Sequence, residues 1–160
     1  MPKRVLFDTN VYGFLTGETI SKIDELVLNK FISVYGCSVV RKELRNTSKS
    51  ALKSGKSVRN RLLSMYDSYV PEKRNYLVGS PSISLAEEYW QEFTGNGKKK
   101  NIMNDFLIAA TSSIHSLDIL VTEDIKTMSS VEAINSYKIV NEGLNFRTPK
   151  FMKIIELIQF

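Results

Sequence analysis

Apolar residues along the chain fall into short blocks of two kinds. Unbroken runs, VLFD at 5–8, FISVYG at 31–36, ILVT at 119–122 and YKIVN at 137–141, read as strands. A strand with one wet face alternates apolar and polar residues, whereas these runs do not, so both faces are covered. The other blocks recur at helical spacing. Ile20, Ile23, Leu26 and Val27 mark a helix over 18–30, and Ser38 reads as the N-cap of SVVRKELRN. Residues 49–70 continue helically, with Leu52, Leu62, Leu63, Tyr66 and Tyr69 as anchors, until Pro71. Leu77 and Val78 read as a short extended piece. Ser82 opens a further helix that GNG at 95–97 stops, and 101–117 is apolar all round in its middle, FLIAA, and so buried on most sides. EDIKTMSS begins a short helix, and TPKFMKIIELIQF closes the chain as another, with Pro149 in its first turn.

Strands alternate with helices throughout. That order predicts an α/β fold, a three-layer α/β/α arrangement around a short, mostly parallel sheet. In such sheets ligands bind beyond the carboxyl ends of the strands. The first strand ends there in an acid, Asp8.

Three more acids fall at related places. Asp124 follows strand ILVT, Glu43 lies in the helix after the second strand, and Asp105 lies near the start of the helix that feeds the third. Each has an ordinary explanation alone. Asp8 and Asp124 can cap helices, Asp105 suits the first turns of a helix dipole, and Glu43 can pair with neighbouring bases. In an α/β sheet these four positions can converge on one side. Clustered carboxylates raise one another's pKa, and a hard divalent cation removes that penalty. Oxygen ligands without Cys or His point to Mg²⁺ or Mn²⁺, and the chemistry expected is phosphodiester hydrolysis.

Composition narrows the alternatives. A length of 160 residues suits one domain with a substantial core. Cys37 is the only cysteine and His115 the only histidine, which excludes a disulfide framework and a histidine- or thiolate-built zinc site. A serine hydrolase would depend on His115, and no GxSxG elbow is present. A phosphatase built on Asp-x-Asp lacks its second acid, because Asn10 stands there. MPKRVLFDTN is no signal peptide and no apolar stretch is long enough for a membrane span, so the expected location is cytoplasmic. The net charge is +5. Residues 41–61 hold eight Lys or Arg and one acid, and KKK at 98–100 adds a second cluster, which tilts the partner toward nucleic acid.

DTN at 8–10, the acid at Glu43, NDFLIAAT at 104–111 and LVTED at 120–124 together resemble the PIN-domain ribonucleases, in particular the VapC-type toxins of toxin–antitoxin modules. The resemblance runs from end to end and is least between 46 and 100. It implies a single PIN-like nuclease domain over 1–160 with a helical basic insertion at about 46–100. It implies a metal-dependent endoribonuclease with Asp8, Glu43, Asp105 and Asp124 as catalytic and metal-binding acids. Thr9, Asn10 and Thr122 would support them from behind. Arg41, Lys42, Arg45, Lys49, Lys53, Lys98, Lys99 and Lys100 would hold RNA, with transfer RNA as the family-level substrate. An antitoxin protein is the implied partner, and a homodimer is expected from the apolar C-terminal segment. Many such toxins continue the fourth motif with another acid and an aromatic residue; here the continuation is IKTM. Glu123, Glu87 and Glu88 remain alternative acids. The competing reading keeps the fold without catalysis, as an RNA-binding or scaffold protein whose acids are caps.

Overall fold

A computed structural model describes residues 1–48, 50, 52–53 and 56–160, apart from the side chains of 52, 53 and 56. The central strand is β1 (Lys3–Phe7), whose Val5, Leu6 and Phe7 are fully buried. On one side it pairs in parallel with β2 (Ile32–Cys37), and on the other with β6 (Ile119–Val121). The edges are β5 (Asn75–Tyr76) beside β2 and β7 (Lys150–Met152) beside β6, both parallel, which gives the order β5-β2-β1-β6-β7. Two-residue strands β3 (Leu52–Lys53) and β4 (Lys56–Ser57) form a separate antiparallel pair.

Helices cover both faces, so the expected three-layer α/β/α architecture holds. α1 (Thr9–Phe14), α2 (Gly17–Leu28), α3 (Ser38–Arg45) and α4 (Val58–Tyr69) form one layer; Phe7 packs edge-on against Tyr12 of α1 and Tyr69 of α4. α5 (Ser80–Glu92), α6 (Lys99–Ile114) and α7 (Val131–Leu144) pack together on the other face, where Tyr137 of α7 stacks on Phe151 of β7. A four-residue helix, α8 (Ile154–Leu157), ends the fold. The middle of α6 is buried nearly all round (Phe106, Ile108, Ala109 and Ala110), as its lack of a polar stripe required.

Several local expectations fail. YKIVN is the interior of α7, where Ala133, Tyr137, Val140 and Asn141 are buried at helical spacing and Ser130 caps the N-terminus. A short apolar run does not separate strand from helix by itself, and here the cap and the longer period win. The C-terminal segment is β7 followed by α8 rather than one helix, because KFM completes the sheet edge against Ile119, Leu120 and Val121. It buries Met152, Ile154 and Leu157 in the chain's own core, so these three need no second copy to cover them. Residues 125–129 form turns rather than a helix. The helix expected over 49–70 starts only at Val58; Leu52 lies in β3, and residues 49, 51, 54 and 55 lie outside the described residues. The extended piece placed at Leu77 and Val78 falls at Asn75–Tyr76. Ser38 is the first residue of α3, and its hydroxyl accepts the Val78 N–H at 3.0 Å instead of capping. Ser82 lies inside α5, which Gly79 precedes, and its hydroxyl accepts from Thr111 at 3.3 Å. No helix is long and apolar enough to cross a membrane among the described residues.

Candidate metal centre

The strand order places a topological switch point between β1 and β6. The chain leaves β1 for β2 and β5 on one side, then returns to β6 and β7 on the other. Loops at the carboxyl ends of such neighbours diverge and leave a crevice. Asp8 occupies that edge directly after β1, and its backbone N–H donates to the Val121 carbonyl at 2.9 Å. Asp8 is also the N-cap of α1: its Oδ1 accepts the Thr9 N–H at 2.7 Å. One oxygen is thereby held by the helix, and the other, Oδ2, accepts the Thr122 hydroxyl at 2.8 Å.

Three threonines tie the four acids together. Thr9 donates its hydroxyl to Glu43 Oε1 at 2.9 Å, linking α1 to α3. Thr122 donates to Asp8 and accepts the Asp124 N–H at 3.0 Å, linking β1 to the loop after β6. Thr127 lies against Asp105 Oδ2 at 2.8 Å and against Asp124 Oδ2, linking that loop to α6. The series Glu43–Thr9–Asp8–Thr122–Asp124–Thr127–Asp105 is continuous. Asn10 stands behind it, its carboxamide oxygen accepting the Glu123 N–H at 3.2 Å.

The electrostatics are those of acids gathered without counter-ions. Among the described residues none of the four forms an ion pair. Burial pushes Asp105 up to about 7, with the charges of Asp8, Asp124 and Glu43 adding to the rise and the Thr127 hydroxyl opposing it. Burial likewise raises Asp8 to about 6, against the bonds from Thr122 and Thr9 and with help from Glu43 and Asp124. Glu43 is raised by burial while Thr9 and Asn104 favour its charge. Asp124 goes the other way. Burial works against its charge, but the Thr127 hydroxyl and the N–H groups of Thr127, Lys126 and Met128 outweigh it and lower its pKa.

A Mg²⁺ or Mn²⁺ ion suits this donor set. No three Asp, Glu, His or Cys side chains among the described residues already stand in a ready-made metal cage. Mg²⁺ seldom uses such a cage; it takes one or two carboxylates and keeps waters for the rest of its shell. Asp8, buried, and Asp105, half-buried, both without a cation among the described residues, are the residues that would hold it directly. Glu43 and Asp124 would complete the donor set, directly or through water.

The alternative acids are engaged elsewhere. Glu123 Oε1 accepts the Ile154 N–H at 2.9 Å, Glu87 pairs with Lys99 at 2.5 Å, and Glu88 is exposed. His115 ends α6 and stacks on Tyr76 with ring centroids 3.6 Å apart, so it takes no part in the acidic cluster. Cys37 is buried and its thiol is pushed up to about 11 by that burial, which leaves it protonated and inert.

The expected RNA-binding cations divide into groups. Arg41 is committed to Asp67 through two bonds of 3.0 Å, and Lys99 to Glu87. Lys42 and Arg45 are exposed and line, with Ser38, Asn46 and Asn75, a groove of about 550 Å³ along α3. Lys98 and Lys100 are exposed at the start of α6. Lys49 and the side chain of Lys53 lie outside the described residues. Thr127 and Asn104 escaped the sequence reading, although Asn104 stands next to Asp105 in its motif.

No family model and no curated protein matches the chain. Solved structures do. A chain in the crystal structure of VapBC2 from Rickettsia felis bound to a DNA fragment from their promoter aligns with a TM-score of 0.59 at 16% identity, covering 94% of this chain and 98% of that one. DNA-bound VapBC from Salmonella typhimurium gives 0.59 at 16% identity over 96% and 99% of the two chains. FitAcB from Neisseria gonorrhoeae gives 0.54 at 17% over 94% and 98%. The similarity spans nearly the whole of each chain, and what this chain shares with the VapBC and FitAcB structures is the PIN-like three-layer fold.

Proposed function

We propose that the protein is a Mg²⁺- or Mn²⁺-dependent endoribonuclease acting as the toxin of a VapBC-type toxin–antitoxin pair. The observation that carries this reading is a buried carboxyl, Asp8, and a half-buried one, Asp105, that meet no cation among the described residues at the switch point of a parallel sheet. A protein bears the cost of burying such groups only where something offsets it, and a divalent cation is the simplest such partner. When bound, the ion polarises a phosphoryl oxygen and lowers the pKa of an attacking water. Asp8 and Asp105 hold the site, Thr9 and Thr122 keep Glu43 and Asp8 oriented, and Asp124 closes it from the β6 loop. Lys42 and Arg45 on α3, and Lys98 and Lys100 at the start of α6, bind phosphates. Such contacts position a strand without choosing its sequence. The likeness to VapBC and FitAcB structures supports a small antitoxin protein as partner, and the resemblance in sequence supports RNA, with transfer RNA first among substrates.

The test compares wild type with Asp105→Asn on structured RNA, with Mn²⁺ and with chelator. Cleavage in wild type that needs the metal, and a folded variant at least about a hundredfold slower, supports the reading. A folded Asp105→Asn that cuts at the wild-type rate overturns it. The cap that Asp8 supplies to α1 favours a second reading, a non-catalytic RNA-binding scaffold whose acids are structural. A wild type that neither binds Mn²⁺ nor cuts any RNA, yet binds RNA, establishes that one.

A further inference from the structure

Thr127 lies in IKTM, the part of the fourth motif that departs from the pattern the chain otherwise resembles. Its hydroxyl stands between two of the four acids, 2.8 Å from Asp105 Oδ2 and in contact with Asp124 Oδ2. A hydroxyl owns one proton, so it donates to one carboxylate oxygen at a time. It therefore joins the two acids without cancelling their charge, which a Lys or Arg at the same place would do.

The surrounding turn fixes that hydroxyl. Asp124 Oδ1 accepts the N–H groups of Lys126 at 3.0 Å and Thr127 at 2.9 Å, and the Asp124 carbonyl accepts the Ser129 hydroxyl at 2.9 Å. The Thr127 carbonyl accepts the Ser130 hydroxyl at 2.9 Å, and Ser130 caps α7. The backbone of 124–130 is thus tied at both ends. Threonine is β-branched and stiff about χ1, so a fixed backbone also fixes the oxygen. Asp105 comes from α6 and Asp124 from the β6 loop, two elements joined at this point by the Thr127 side chain.

We propose that Thr127 is a positioning residue: its hydroxyl sets the spacing of the Asp105 and Asp124 carboxylates and thereby the affinity of the site for a divalent cation. The inference rests on the metal-centre reading above. It assigns Thr127 no contact with RNA, so RNA affinity is independent of it.

The experiment measures Mn²⁺ binding to wild type, T127V and T127S by calorimetry and by the Mn²⁺ electron paramagnetic resonance signal, without RNA. RNA binding is measured separately in chelator. T127V keeps the shape and loses the hydroxyl; T127S keeps the hydroxyl. The expected result is Mn²⁺ affinity at least about tenfold weaker in T127V, largely recovered in T127S, with RNA affinity unchanged in both. T127V that is folded and binds Mn²⁺ as wild type does overturns the inference and leaves the metal centre standing. Wild type that binds no Mn²⁺ overturns the metal centre itself, and the inference falls with it. Should T127V not fold, T127A against T127S supplies the same contrast, and equal affinities in those two overturn the inference.

Discussion

Asp105 and Asp118 are the same side chain near opposite ends of one sheet. Asp118 precedes β6 at the amino edge. Its Oδ1 accepts from Arg147 at 2.6 Å and its Oδ2 accepts the Arg4 backbone N–H at 2.7 Å. Burial opposes its charge, but those partners and nearby Lys3 prevail and lower its pKa. Asp105 lies at the carboxyl edge, where the neighbouring charges are Asp8, Asp124 and Glu43, and it rises to about 7. The difference teaches where a missing partner belongs. An acid with its cation in the chain is settled; Asp105 has acids and the Thr127 hydroxyl around it and, among the described residues, no cation, which is what the proposed metal site would supply.

The comparison breaks most sharply on activity. Asp118→Asn should leave metal-dependent cleavage within about twofold of wild type, while Asp105→Asn removes at least about a hundredfold. A steady-state assay of both variants on one RNA decides this, and an inactive but folded Asp118→Asn would erase the distinction.

Stability against pH comes next, and its sign is fixed. Asp105 and Asp8 have folded values of about 7 and about 6, above the ordinary 3.8. The stability they contribute is full below 3.8 and is lost as pH rises through those folded values. Metal-free protein should therefore lose on the order of a few kcal/mol between about pH 4 and pH 8. Saturating Mn²⁺ should flatten that decline. Melting curves in chelator and in Mn²⁺ across the range check it; a metal-free melting point that climbs with pH contradicts the assignment.

At the amino edge the stability effect is smaller. The Asp118–Arg147 pair is partly exposed, with side-chain exposures of 22% and 55%, so solvent screens it. Asp118→Asn should cost about 1 kcal/mol in urea denaturation, most of it through the weakened bond from the Arg4 N–H. The smallest effect is expected from the α3 groove. Lys42→Ala with Arg45→Ala should raise KM for RNA by roughly three- to tenfold, leave kcat alone and flatten the salt dependence of binding. A change confined to kcat would place those side chains at the reaction instead.

Much of this is legible in the sequence. VLF followed by Asp8 marked a buried strand ending in an acid, and the alternation of strands with helices placed that acid at a carboxyl edge. NDFLIAAT read as a buried helix carrying Asp105 because its apolar residues leave no polar stripe. Legibility stopped where two structures share one pattern. YKIVN satisfies a strand locally, and only the buried positions at 133, 137, 140 and 141 show that α7 claims it. KFM satisfies a helix, and only an open sheet edge beside β6 makes it β7. Thr127 was invisible for a different reason. A threonine in a turn is ordinary, and its meaning lies in two oxygens that come from residues 22 and 3 positions away.

The sequence by itself determined the buried strand before Asp8, the buried helix that carries Asp105, the cap that Asp8 supplies to α1 and which residue types could do chemistry, because these depend on neighbours a few positions away. The tertiary structure decided which acids lack a cation, which bases are already taken, and which hydroxyls join the acids into one series. Arg41 and Lys42 are adjacent in the chain and line one groove, yet Arg41 is closed on Asp67 while Lys42 forms no ion pair among the described residues. Charge in a protein is settled by what lies within a few ångströms, and the distance along the chain says little about that.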